Sequence, residues 1–135
     1  LRPQAPSELT VTDVRIGRHE GFERVVFELD GGGTPGWFVD YADTPTQQGS
    51  GKTIDYSGET ALNVNIDGVV YPFEAGKDDP RIGVVDAPTE GIVTQVVNGG
   101  TYEGRCQFVI GMTSRKPYSV QVLDNPTRLV VDIRD

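Results

Sequence analysis

The chain has 135 residues, 36% of them apolar, with 17 glycines, 9 prolines and a formal net charge of −8. That length fits one domain with a core large enough to form without staples, and the single Cys106 excludes an internal disulfide. The acidic balance and the lack of a basic stripe argue against nucleic acid as a partner. No apolar run approaches the roughly 20 residues of a membrane-spanning helix, so this domain is not expected to insert into a membrane.

Residues 1–8 are polar, carry two prolines and lack periodicity, so they read as a flexible tether. A cleaved signal or a lipid anchor upstream would explain such a tether. The domain itself is expected over residues 9–135. Leu9, Val11, Val14 and Ile16 predict a first strand with a bulge at Asp13, and residues 17–21 a hairpin turn. Val25, Phe27 and Leu29 then face one way, while Arg24, Val26 and Glu28 face the other. Residues 31–36 form a loop, residues 37–41 a strand and residues 43–52 a polar loop. Ile54 and Tyr56 suggest a short strand. Leu62, Val64 and Ile66 alternate cleanly up to the turn pair Asp67-Gly68.

Residues 68–91 are irregular, and a loop of that length is functional or mobile. Alternation returns over residues 92–97. Asn98-Gly99-Gly100 then reads as a hairpin turn. Cys106, Phe108 and Ile110 form one inward set, and Tyr118, Val120 and Val122 the next. After the turn at Asp124-Asn125-Pro126, Leu129, Val131 and Ile133 close the chain. About nine short strands, each with one apolar face and with no convincing helix, predict an all-β fold: a two-sheet antiparallel β-sandwich.

An internal repeat supports two sheets. Residues 24–41 align without gaps on residues 105–122: Arg24 on Arg105, Val25 on Cys106, Phe27 on Phe108, Trp37 on Tyr118 and Val39 on Val120. The expected unit is a hairpin, one per sheet. The repeat makes Cys106 a buried small hydrophobe, and Trp37 and Tyr118 core residues before ligand platforms.

Three stretches carry a family resemblance: Arg105-Cys106-Gln107-Phe108-Val109-Ile110, then Pro117-Tyr118-Ser119-Val120, then Asn125-Pro126-Thr127-Arg128-Leu129-Val130-Val131-Asp132-Ile133. With residues 19–29 and Tyr102-Glu103-Gly104, they make the chain similar to the AMIN-like domain of actinobacterial secreted proteins and lipoproteins, related to the AMIN domain. The resemblance implies a β-sandwich outside the cytoplasm, secreted or lipid-anchored at the cell envelope. It also implies peptidoglycan as the partner, bound by similar motifs on the outer faces of two related sheets. Within these 135 residues no amidase or secretin sequence is read beside the domain.

The outward residues Arg24, Glu28, Arg105, Gln107, Arg128 and Asp132 are the candidate ligand-binding set. Guanidinium forks suit carboxylates, and Asp132 or Glu28 could orient the arginines or accept sugar hydroxyl protons. Their plainest role is cross-strand ion pairing on a wet face, worth roughly 0.2–1 kcal/mol each. The alternative function is a protein-interaction adaptor that regulates an envelope enzyme or transporter. A weaker one is a small hydrolase using His19, the only histidine. No Gly-x-Ser-x-Gly elbow supports that reading, so no catalytic residue, metal or cofactor is assigned.

Three other patterns are weaker. Gly49-Ser50-Gly51-Lys52-Thr53 imitates a phosphate loop but lacks its first glycine and a following helix. Asp67, Glu74, Asp78, Asp79 and Asp86 do not match a calcium-loop spacing. Tyr71 and Phe73 could stack on sugar rings, although packing is their plainer role.

Overall fold

The computed structural model describes residues 8–48, 50–70, 82–88, 91–102, 104–124 and 126–134. Nine strands appear among them: β1 (Glu8–His19), β2 (Phe22–Gly32), β3 (Gly36–Tyr41), β4 (Thr60–Asp67), β5 (Val84–Asp86), β6 (Val93–Tyr102), β7 (Arg105–Met112), β8 (Tyr118–Leu123) and β9 (Arg128–Arg134). All strand pairs are antiparallel. The first sheet has the order β1-β2-β9-β8 and the second β3-β4-β7-β6-β5. The described residues contain no helix.

Period-two alternation produces this arrangement directly. A strand sends successive side chains to opposite faces, so each apolar set lines one side of its sheet. Val25, Phe27 and Leu29 of β2 and Leu129, Val131 and Ile133 of β9 meet Leu62, Val64 and Ile66 of β4 and Cys106, Phe108 and Ile110 of β7 in one buried core. Each such side chain stabilises the fold by about 1.5–3 kcal/mol when fully buried. Glu23 shares the parity of Val25, so it too points inward and is buried. Its carboxylate accepts hydrogen bonds from the backbone N–H groups of Ile92 (2.7 Å) and Val93 (3.1 Å).

The repeat is present, but its unit is an arch rather than a hairpin. β2 pairs with β1 and β9, whereas β3 pairs with β4 in the other sheet. β7 and β8 are split the same way, in the opposite direction. Exchanging β1–β4 with β6–β9 turns β1-β2-β9-β8 into β6-β7-β4-β3, which is the second sheet without β5. The chain is therefore two four-strand units whose members trade between sheets. The ungapped alignment of sequence holds for β2 and β7 only. Phe27 pairs with Leu129 and Phe108 with Val64, so those partners are equivalent. Their outer neighbours Val122 and Val39 then correspond, two residues from the alignment of Val39 on Val120. A two-residue slip keeps every side chain on its face, which is why the pattern concealed it.

Three local expectations change. The turn placed at residues 17–21 narrows to Glu20-Gly21, because β1 continues to His19. Asn98-Gly99-Gly100 is not a turn. β6 runs through it with a bulge, and the chain reverses at Gly104 (φ 78°). A Cβ at Gly99 would lie 2.9 Å from Ile54 Cδ1, so close packing explains that glycine. Ile54 and Tyr56 form no strand, and the ninth strand is β5, inside the stretch read as irregular. Tether residues 1–7 lie outside the described residues, as do Tyr71, Phe73 and residues 74–81.

Candidate functional site

On the outer face of the first sheet, the parity that buries Phe27 turns Phe22, Arg24, Val26 and Glu28 outward. Arg24 lies directly opposite Asp132 and grips it with two bonds, Nε to Oδ1 at 2.7 Å and Nη2 to Oδ2 at 3.0 Å. The hydrogen bonds that the guanidinium donates to this carboxylate raise its already high pKa. The same guanidinium lies 5.4 Å from the centroid of the Phe22 ring, and exposed His19 stacks on Phe22 at 4.8 Å with planes 10° apart. Glu28 accepts from Arg15 at 3.2 Å, and Arg15 also bonds Asp13 at 2.8 Å. Arg128 bends back to donate to the carbonyls of Pro126 (2.7 Å) and Asp124 (3.3 Å), closing its own turn.

The outer face of the second sheet repeats the central motif. Arg105 lies opposite Asp67 and bonds it through Nε to Oδ1 at 2.5 Å and Nη2 to Oδ2 at 3.4 Å. Arg24–Asp132 and Arg105–Asp67 occupy equivalent positions of the two four-strand units. Each pair also has an aromatic neighbour on its own face. Phe22 stands beside Arg24, and Tyr102 is the direct cross-strand partner of Arg105. Directly opposed residues share a face with Cβ atoms about 5 Å apart.

The two faces then diverge. Residues 42–59 connect β3 to β4 and fold over the second sheet, where Ile54 packs on Ala61 and Val109 in a second small core. Gln107 is consequently buried instead of wet. It donates through Nε2 to Thr46 O (2.8 Å) and Asn63 Oδ1 (3.0 Å), while its Oε1 has no hydrogen-bond partner among the described residues. The corresponding β8–β9 connection is only four residues long, 124–127, too short to cover the first sheet.

Of the six residues read from the sequence, Arg24, Glu28, Arg128 and Asp132 thus share one outer face, which no described segment covers. Arg105 lies on the opposite face and Gln107 beneath its cover. Sequence reasoning missed Phe22, Arg15 and Tyr102 as neighbours of these groups. Phe22 was reachable, because it shares Arg24's parity on β2. Tyr102 was not, because its partnership with Arg105 depends on where the turn falls.

Burial pushes the Cys106 thiol up to about 11, which leaves it protonated and unreactive. In the phosphate-loop imitation, Thr53 bridges Thr46 antiparallel and no helix follows. Asp67 is held by Arg105, and Asp86 accepts from Gln95 at 3.3 Å. Among the described residues, no group of three or more His, Cys, Asp or Glu side chains is placed to hold a metal ion, and no helix is long and apolar enough to cross a membrane.

A sandwich of two interleaved four-strand units with matched outer-face ion pairs defines the class of domain. Within that class, the chain belongs to the AMIN-like domain family, whose model matches residues 9–135. Searches of curated proteins and of solved structures return no significant match.

Proposed function

We propose that this domain is a non-catalytic module of the cell envelope, located outside the cytoplasm, that binds peptidoglycan through both outer faces. One observation carries the reading: an Arg–Asp pair occurs twice, at equivalent register positions on opposite sheets, each with an aromatic neighbour, Phe22 on the arginine's own strand in one sheet and Tyr102 on the adjoining strand in the other. A single surface ion pair contributes only about 0–1 kcal/mol to stability. Stability therefore gives little reason for the motif to occur in duplicate, whereas a repeating ligand does. Peptidoglycan presents carboxylates on its stem peptides and rings along its glycan strands. A planar guanidinium held in place by Asp132 or Asp67 suits the former, and Phe22 or Tyr102 the latter. Two weak patches on one module raise avidity on such a polymer without any new contact. Family membership agrees, since AMIN-like domains are generally non-catalytic binding modules associated with the envelope.

Co-sedimentation with purified sacculi tests the proposal. Arg24→Ala or Arg105→Ala alone should weaken retention, and the two together should weaken it by more than about tenfold. Undiminished retention of the double variant would refute the assignment of the patches.

The adaptor reading rests on Phe38, which is 56% exposed on the edge strand β3. It predicts no retention on sacculi and a specific envelope protein recovered by cross-linking, lost on Phe38→Ser.

A further inference from the structure

We infer that the Arg105–Asp67 patch includes a pocket for a single uncharged sugar ring of the N-acetylhexosamine class, and that the described residues around Arg24–Asp132 form no matching one. This rests on the wall-binding reading and names the ligand group that one of its two patches selects.

The asymmetry comes from the connections. The 42–59 segment that covers the second sheet meets the end of β6 and leaves a cavity of about 180 Å³ between them. Gln47, Gln48 and Ser50 form one wall, Gly99 and Gly100 lie across from them, and Tyr102 stands at the end nearest Arg105. Drug-sized ligands occupy roughly 300–1,000 Å³, so this space suits one ring and not a chain.

The wall is built before any ligand arrives. Gln47 N donates to Lys52 O (2.8 Å), Gly51 N to Gln47 O (3.0 Å) and Ser50 Oγ to Gln47 Oε1 (2.7 Å). Gln48 Nε2 donates to Arg105 O at 3.3 Å, which ties the pocket to the ion pair. A preformed site avoids the ordering entropy of binding. Gly99 and Gly100 keep the opposite side flat. A Cβ at Gly99 would collide with Ile54 and Gln107, and Gly100 adopts φ +100°, which side chains disfavour.

The lining chemistry selects the ligand. Among the described residues, no Asp, Glu, Lys or Arg lines the cavity, and its lining there supplies carboxamides, a hydroxyl and an aromatic ring instead of counter-charge for a phosphate or an ammonium group. Carboxamides and a hydroxyl both donate and accept, as do sugar hydroxyls and acetamido groups. Tyr102, 45% exposed, offers a ring face to the apolar side of a pyranose.

The test is an amide-resolved NMR titration of the whole chain with N,N′-diacetylchitobiose. Saturable shifts are expected at Gln48, Ser50, Gly99, Gly100 and Tyr102. Tyr102→Ala should weaken the apparent affinity by about fivefold or more, while Tyr102→Phe keeps the ring and stays within about twofold of the parent. Spectral dispersion reports whether each variant is folded. No shifts, shifts centred on Phe22, or an unchanged Tyr102→Ala titration would each overturn the pocket. If sacculi still retain the parent chain in that case, the wall-binding reading stands without it. Pocket shifts without retention on sacculi would instead overturn the wall-binding reading and leave a disaccharide site.

Discussion

Phe27 and Phe108 meet with ring centroids 4.8 Å apart and planes tilted by 42°, each at the same place in its own four-strand unit. Both are fully buried, and each is flanked in its sheet by a strand of the other unit's sequence half or its equivalent. Phe27→Ala and Phe108→Ala should each cost about 3–5 kcal/mol in urea unfolding. Because the two rings touch, the double variant should cost less than the sum, by about 0.5 kcal/mol or more. Strict additivity would show that the contact does not couple the two sheets.

Glu23 clips the start of β6 from the opposite sheet through two backbone N–H groups. Glu23→Ala leaves those donors unpaired in the interior, at about 1.5–3 kcal/mol for each bond to a charged group. Gly91→Ala should do similar damage, since its Cβ would lie 2.6 Å from Glu23 Oε1. Hydrogen exchange at Ile92 and Val93 should accelerate in both variants. Unchanged protection there would mean that the clip contributes nothing.

Cys106 gives the protein an alkaline sensitivity. Its folded-state pKa, raised to about 11 by burial, exceeds the roughly 8.5 of an unfolded thiol. This contribution to stability is complete below pH about 8.5 and is lost as pH rises toward 11, at up to about 1.4 kcal/mol per unit. Cys106→Val places at this site the residue that Val25 supplies in the other unit. It should cost less than about 1.5 kcal/mol at pH 7 and remove that part of the alkaline slope. Native Cys106 should resist iodoacetamide until the chain unfolds, as followed by mass spectrometry.

The Arg24–Asp132 and Arg105–Asp67 pairs separate stability from binding. Their side chains are partly exposed, so Arg24→Gln and Arg105→Gln should each cost no more than about 1 kcal/mol in unfolding. Retention on sacculi should fall in both and should weaken with added salt in the parent. A loss of several kcal/mol would make the pairs structural instead.

Much of this was readable in the chain. The alternation of Val25, Phe27 and Leu29 set the inward face of β2, and the same parity turned Arg24 and Glu28 to solvent. The match of Arg24 with Arg105 exposed the duplication. Where reading failed, the missing information was distant in sequence. Gln107 has outward parity, yet residues 42–59 lie over it. Gly99-Gly100 has the composition of a turn, yet Ile54, some 45 residues earlier, demands the small residues there.

By itself, then, the sequence determined strand periodicity, which residues form the core and the equivalence of β2 and β7, because side-chain alternation is a property of neighbouring residues. The tertiary structure alone decided that each repeat crosses between sheets, that Asp67 and Asp132 are the matching partners of the two arginines, and that, among the described residues, one outer face is covered and the other is not. Those outcomes depend on strand pairing and loop closure between residues far apart in the chain, which no local pattern encodes.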